Sequence, residues 1–331
     1  MATQHPEAEI VPDEALTEDG ESSLGEETVS STQSLSSSIV DYRRENGRTY
    51  HRYKDGKYNL PNDELEAERL DLQHHLFLLT FDDSLGLAPP NKANSEVKRV
   101  LDLGTGTGIW AMDFGDEHPE THVVGVDLSP IQPTFVPPNV EFFIDDIDEE
   151  WNHSAPFDYI HSRMMTSSIG NWPGYLKKIY DNLNPGGYVE LQEADLFLSS
   201  DDGTLQPTQA LPRCLQLMYE ASVKLGRPYQ EIPPLKDVLA ATGFVDVIET
   251  RRRWPINTWP KDKRLKELGA WSRANLEGGL EAFTMAPLTR AHGWDRERVT
   301  LFLVDVRREL NDTGIHAYWP VYSIYARKPE V

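Results

Sequence analysis

"RVLDLGTGTGIWAMDFG" (residues 99–115) decides how the rest of the chain is read. An apolar run ends in an acid, Asp102, and glycines follow at every second position, Gly104, Gly106 and Gly108. Glycine admits positive φ and lets another molecule come close to the backbone. The stretch therefore reads as a strand turning over a bound group into a helix, or as a tight turn with no ligand. Dinucleotide-binding folds place Gly-x-Gly-x-x-Gly here, but Ile109 occupies the position of their third glycine. No Gly-Lys-Ser/Thr follows, so a phosphate loop of the Walker type fails as well.

Two more acids narrow the ligand. Asp102, ahead of the loop, repels a pyrophosphate but suits an ammonium group. "HVVGVDLS" (122–129) ends its apolar run in Asp127, placed to accept both hydroxyls of a ribose. "VEFFIDDI" (140–147) ends in Asp146 and Ile147, able to accept an amine and to pack against an adenine face. An ammonium, a ribose diol and an adenine, in that order, describe S-adenosylmethionine.

Outward from the loop, short apolar runs alternate with helical patterns. Strands are expected over 97–104, 122–129, 140–147, 157–163 and 188–197, with helices over 108–119 and 172–187. Such alternation implies an α/β fold, a doubly wound, mostly parallel sheet with helices on both faces. Upstream, "NDELEAERLDLQHHLFLLT" (62–80) reads as a helix capped by Asn62, its acids at the positive end and Leu65, Leu72, Leu76 and Leu79 in one stripe. Downstream, helices are expected over 213–226, 235–244 and 296–314, and strands over 245–256 and 317–329, which makes seven strands. Residues 41–96 then form a helical and aromatic cap, and 97–331 the main domain with a helical lid inserted around 200–300.

Composition bounds the rest. The chain has 331 residues, 39% of them apolar, enough for one large core. Mean hydropathy is −0.53, and no stretch approaches the roughly 18 apolar residues of a membrane span. The N-terminus lacks the basic start and apolar centre of a secretory signal. One cysteine, Cys214, excludes an internal disulfide and a cysteine-based zinc cage. These features point to the cytoplasm, with the nucleus as alternative. The net charge of −22 argues against a general nucleic-acid binder. "RRRW" (251–254) reads first as a solvated strand or turn edge. Residues 1–40 are acidic and Ser-rich, with no Lys or Arg, and are expected to be a disordered tail.

Together, "VLDLGTGTGIWAMDFG", "VVGVDLSP", "VEFFIDDIDEEW", "FDYIHSRMM" and "LNPGGYVELQE" resemble the consecutive motifs of class I S-adenosylmethionine-dependent methyltransferases. The block "YRRENGRTYHRYKDGKYNLPNDELEAERLDLQHH" and the late "YWPVYSIYARKP" are more specifically similar to the fungal LaeA-like methyltransferases of secondary metabolism, which include regulators and tailoring enzymes. The resemblance implies that Asp102, Gly104 and Gly106 meet the methionine part of the cofactor. It implies Asp127 on the ribose, Leu128 beside the adenine, and Asp146 with Ile147 on the adenine edge. Tyr50 and Tyr53 would close over the cofactor, or else pack a helix on the sheet. Trp151 would shield the adenine or serve as a core aromatic.

Methyl transfer needs nucleophile, methyl and sulfur in line, water excluded and, for some acceptors, a proton removed. His161 and Glu193, at the ends of the fourth and fifth strands, are the residues expected to act as base or to orient the acceptor. Arg163 would bond the sheet end or a substrate carboxylate. Trp172, Trp254, Trp271, His292, Trp294 and Trp319 would line an aromatic, apolar acceptor cavity or fill the lid's own core. No metal is expected: the acids of "DDIDEE" (145–150) are accounted for by adenine recognition and helix entry. Three functions share such a site: methylation of a small fungal metabolite, regulation through protein partners, and cyclisation without methyl loss.

Overall fold

The computed structural model describes residues 42–51, 53 and 59–330. The expected acidic tail lies outside the described residues. The chain runs β1 (Arg43–Glu45), β2 (Arg48–Tyr50), α1 (Glu64–Thr80), β3 (Arg99–Leu103), α2 (Ile109–Glu117), β4 (His122–Asp127), β5 (Val140–Ile144) and β6 (Phe157–Arg163). It continues α3 (Trp172–Asp181), β7 (Leu183–Ala194), β8 (Ser199–Ser200), α4 (Ala210–Lys224), α5 (Leu235–Thr242), β9 (Val245–Pro255), α6 (Lys263–His292), α7 (Arg296–Leu310) and β10 (Ala317–Arg327).

The strands β5-β4-β3-β6-β7 pair in that order and all parallel, as βα alternation demands. Then β10 joins β7 antiparallel, and β9 joins β10 antiparallel at the outer edge. These are the seven strands expected, with the two-residue β8 added against the start of β10. Arg251, Arg252 and Arg253 are exposed on the edge strand β9, where charge discourages strand-to-strand association.

Each face of the sheet carries a helical layer. On one side α3 and α5 bury Leu176, Ile179, Leu235 and Leu239 against Leu101, Ile160 and Leu191. On the other, α2 sets Trp110, Ala111 and Phe114 against Val100, Val123 and Tyr159. A third core joins Phe77 of α1, Met218 of α4, Leu288 of α6 and Leu303 of α7 to Trp254 and Val321. The span expected as one lid is thus divided. Helices α4, α6 and α7 form the cover, while α5 and β9 between them complete the sheet layers.

Local chemistry moves two expected boundaries. The α1 cap is Asp63, one residue after Asn62: its carboxylate accepts the Glu66 N–H at 3.2 Å and pairs with the Arg48 guanidinium at 2.5 and 2.6 Å. The helix expected over 172–187 stops at Asp181, because Leu183-Asn184-Pro185-Gly186-Gly187 already belongs to β7. Pro185 has no N–H to continue a helix. A Cβ on Gly187 would press on the carbonyl oxygens of Asn184 and Asp158 at 2.9 and 3.0 Å. The leucine stripe of α1 also shifts. Leu65 is 65% exposed, and the buried face carries Glu66, Arg69, Gln73, His74, Leu76, Phe77 and Thr80. A polar face can be buried only where it is bonded, and it lies over the site.

Candidate functional site

A cleft opens where the parallel strands end, the position at which open α/β sheets hold their ligands. It encloses about 1360 Å³ of atom-free space, including its mouth, and its walls include Asp102, Gly106, Asp127, Asp146, His161 and Arg163. Helix α1 contributes Arg69, Gln73 and His74, and α6 contributes Phe283.

The glycine loop does two different things. Gly108 starts α2 with φ +81, and a Cβ there would run into the Phe142 ring; it is a packing glycine and does not line the cleft. Gly106, at φ +57, would meet only Leu70 Cδ1, at 3.3 Å. It lines the cleft, and its carbonyl accepts the Gln132 side-chain amide at 2.6 Å, which fixes the turn.

Asp127 ends β4, and each oxygen takes one backbone N–H, from Gly106 at 2.9 Å and from Ser129 at 2.9 Å. A carboxylate has about four lone-pair sites, so both oxygens keep acceptor capacity. Burial pushes its carboxyl up to about 6, against the pull of those backbone donors.

Asp102, across the register from His161 on β6, accepts Thr105 Oγ1 at 2.6 Å and meets His161 Nδ1 at 2.7 Å. Burial holds the His161 ring below the usual histidine range, and the Asp102 bond opposes that only in part. The ring is therefore neutral, with Nδ1–H donating to Asp102 and the lone pair on Nε2. The Trp110 ring lies flat against it, 3.8 Å between centroids and 4° between planes, which fixes its orientation. Buried Nε2 has no hydrogen-bond partner among the described residues.

A second histidine is assigned by geometry. Arg163 can only donate, so its contact with His74 Nδ1 at 3.0 Å makes that nitrogen the acceptor, and His74 Nε2–H donates to Asp113 at 2.9 Å. Arg163 also donates to Gln192 Oε1 at 2.8 Å and lies 4.4 Å above the Phe77 ring. Burial pushes it down to about 10, still charged at neutral pH. Three arginines line the cleft. Arg69 is paired with Glu66 and Arg227 with Asp148, whereas the hydrogen bonds of Arg163 go to neutral groups.

The loop after β5 is stapled from below. Lys178 of α3 donates to the carbonyls of Ile147, Asp148 and Glu149 at 3.1, 2.5 and 2.7 Å. Trp151 donates to the Ile147 carbonyl at 3.0 Å, beneath the loop and not among the cleft-lining residues.

Of the residues singled out in the sequence, Asp102, Gly104, Gly106, Asp127, Leu128, Asp146, Ile147 and His161 meet in this one cleft. Tyr50, Tyr53 and Glu193 are not among its walls. The Tyr50 ring is buried under the Arg290 guanidinium, 5.0 Å away, and Arg290 in turn grips Glu45 at 2.7 Å. Glu193 is fully buried, and both its oxygens receive the Met165 N–H at 2.9 Å. It positions the loop after β6 and does not line the cleft. Trp172, Trp254, Trp294 and Trp319 are buried in the cores, Trp271 is partly exposed, and none of these or His292 lines the cleft. Arg69, Gln73 and His74 were missed as site residues. Their signal was three polar side chains on the helix face that hydrophobic periodicity turns inward.

The residues present fit S-adenosylmethionine: a cleft-lining glycine turn, an acid with two usable oxygens at the end of β4, an imidazole nitrogen with no hydrogen-bond partner and, among the described residues, one cleft arginine without a paired carboxylate. Among the described residues, no group of three or more His, Cys, Asp or Glu could hold a metal ion, and no helix is long and apolar enough to cross a membrane.

Residues 72–248 match the methyltransferase-domain family. Methyltransferase pytC of Aspergillus terreus is 42% identical over 304 residues, covering 92% of this chain and 93% of that protein. Secondary metabolism regulator LAE1 of Cochliobolus heterostrophus is 39% identical over 290 residues, covering 86% and 94%. Among solved structures, Haemonchus contortus phosphoethanolamine N-methyltransferase 2 with S-adenosyl-L-methionine has a TM-score of 0.42 at 20% identity, over 70% of this chain and 49% of that one. The chain belongs to the methyltransferase-domain family, in its LaeA-like branch of S-adenosylmethionine-dependent methyltransferases of fungal secondary metabolism.

Proposed function

We propose that this chain methylates a small-molecule acceptor, with His161 as the group that takes the acceptor's proton. The observation that carries the reading is the Asp102–His161 pair: a neutral, oriented imidazole on a residue that borders the cofactor cleft, whose buried Nε2 has no hydrogen-bond partner among the described residues. When bound, S-adenosylmethionine supplies a methyl group already activated on a sulfonium.

The chain's own residues do the remaining work. Asp127 accepts the ribose hydroxyls, and the loop of Asp146 and Ile147 borders the adenine. The acid Asp102 faces the ammonium end, and Arg163 supplies the cationic counterpart for the carboxylate beside it. A neutral His161 accepts a proton at Nε2, and Asp102 stabilises the imidazolium that results. Helices α1 and α6 lie over the cleft, which favours the exclusion of water.

A regulatory role through protein partners is the second reading, supported by the likeness to the LAE1 regulator. One experiment separates them. The purified chain is incubated with S-adenosylmethionine labelled in its methyl group and a fungal culture extract, and label is counted in the solvent phase and in precipitated protein. Label in the solvent phase, lost in His161→Ala, supports small-molecule methylation; label confined to protein refutes it in favour of a protein acceptor.

A further inference from the structure

Two polar side chains in the cleft walls are unused by the fold. Gln73, on the face of α1 that lies over the site, is 6% exposed, and Thr166, in the loop after β6, is 5% exposed. Among the described residues, neither the Gln73 amide nor the Thr166 hydroxyl has a hydrogen-bond partner. Neither is sealed: unlike His161 Nε2, their polar atoms stay accessible from the cleft. Other polar side chains of the same walls are held within the protein. Arg69 donates to Glu66 at 2.7 Å, Thr105 to Asp102 at 2.6 Å, Thr107 to Asp71 at 2.7 Å and Arg227 to Asp148 at 2.6 Å. Buried polar groups are ordinarily bonded, so an amide and a hydroxyl left over in one cleft mark places where the partner arrives with a ligand.

Both are presented by fixed backbone. The Thr166 carbonyl accepts the Gln230 N–H at 3.0 Å, and its N–H donates to the Glu193 carboxylate. Gln73 stands between His74, locked by Arg163 and Asp113, and Arg69, locked by Glu66 and Asn275. Groups held in place before the ligand arrives lose little freedom on binding it. The cofactor accounts for neither. In the reading above its ammonium, carboxylate and ribose fall to Asp102, Arg163 and Asp127, all at strand ends. Gln73 reaches in from the cover helix instead, and both side chains are neutral. The amide brings two N–H donors and an acceptor oxygen, the hydroxyl one donor and two lone pairs.

We infer that Gln73 and Thr166 are specificity-determining residues, which hold the methyl acceptor through its neutral hydrogen-bonding groups, hydroxyl or amide. This rests on the methyl-transfer reading above. Once acceptor and cofactor fill the cleft and water leaves, an acceptor lacking such groups leaves the amide and the hydroxyl unpaired, and the site rejects it.

The test uses the full chain, methyl-labelled S-adenosylmethionine at saturation and a diluted fungal culture extract, with label counted in the solvent phase. Gln73→Met keeps length and shape but makes no such bond, and Thr166→Val likewise replaces the hydroxyl. Each is expected to slow labelling about tenfold, while S-adenosylhomocysteine binds within threefold of wild type by calorimetry. Thr166→Ser, which restores the hydroxyl, keeps most of the rate. Because the fold does not use these groups, the urea midpoints of Gln73→Met and Thr166→Val stay at or above wild type, a result no structural role would give. Labelling within twofold of wild type in both variants overturns the assignment. So does an S-adenosylhomocysteine affinity that falls in step with the rate, which makes the residues cofactor contacts, or a lowered urea midpoint, which makes them structural. Should Gln73→Met fail to fold, the comparison of Thr166→Val with Thr166→Ser decides, equal rates refuting the proposal. No label in the solvent phase from the wild type refutes the methyl-transfer reading itself, and the acceptor assignment falls with it.

Discussion

Asp127 offers the sharpest test of the cofactor site. Its two oxygens hold the Gly106 and Ser129 amides, both at 2.9 Å, and the same oxygens are assigned to the ribose diol. Hydrogen bonds to a charged acceptor contribute roughly 1.5–3 kcal/mol each. Asp127→Ala removes two from the ligand, and water recovers part of the loss, so the net cost is about 3 kcal/mol, roughly a hundredfold in Kd. The pH dependence is a second, independent signature. Only the carboxylate accepts both hydroxyls, and burial has raised its pKa to about 6. Ligand that binds the anion therefore loses affinity as pH falls through 6. From pH 7 to pH 5 the ionised fraction drops from about 90% to about 10%, which predicts roughly a tenfold weakening in the wild type and none in the variant. Calorimetric titration of S-adenosylhomocysteine at both pH values reads both effects. A Kd within threefold of wild type for Asp127→Ala, with the protein folded by circular dichroism, would refute the ribose assignment, as would identical pH profiles.

His161→Ala should lower kcat by about 10²–10⁴ while S-adenosylhomocysteine affinity stays within a few-fold; equal losses in both would show a packing role, not a proton acceptor. The Glu193 carboxyl is raised to about 8 by burial, so the folded state holds its proton more tightly than the unfolded chain does. Its stabilising contribution is complete below about 4.5 and is lost as pH rises through 8. Glu193→Gln should remove that alkaline loss, and urea midpoints at pH 7 and pH 9.5 that differ as much as in wild type would contradict it. Glu190 accepts the Leu87 and Ala88 amides at 2.8 and 2.9 Å, Tyr159 Oη at 3.0 Å and Ser323 Oγ at 2.6 Å. Glu190→Ala leaves those buried donors without an acceptor and should destabilise by about 3–5 kcal/mol in urea unfolding; a cost below about 1 kcal/mol would mean water replaces the carboxylate.

The parallel sheet and the strand-end acids were legible because each is a local signal. A glycine loop, an acid ending an apolar run, and a helix pattern of fixed period are all written within about ten residues. Helix α6 was not. Its 30 residues contain Gly269, Gly278, Gly279 and Pro287, so intrinsic propensity argued against a helix, and packing overrode it. Gly269 sits where a Cβ would collide with the Asn257 carbonyl, and Gly279 where one would meet Arg69 Cδ at 2.7 Å. The choice between Glu190 and Glu193 was equally hidden. Both faces of β7 are buried, so alternation shows which residues share a face but not which face meets the 85–91 segment or the loop after β6.

By itself, then, the sequence determined the α/β architecture, the glycine turn and the three acids at or just after the ends of β3, β4 and β5, because short-range stereochemistry and periodicity specify them. Tertiary structure alone decided that His74, Asp113 and Arg163, far apart in the chain, share one hydrogen-bonded line, and that His161 is oriented by Asp102 and Trp110. It alone made Glu193 a scaffold for the loop after β6. Those outcomes depend on which distant side chains exclude water from one another, and that is settled only when the layers close.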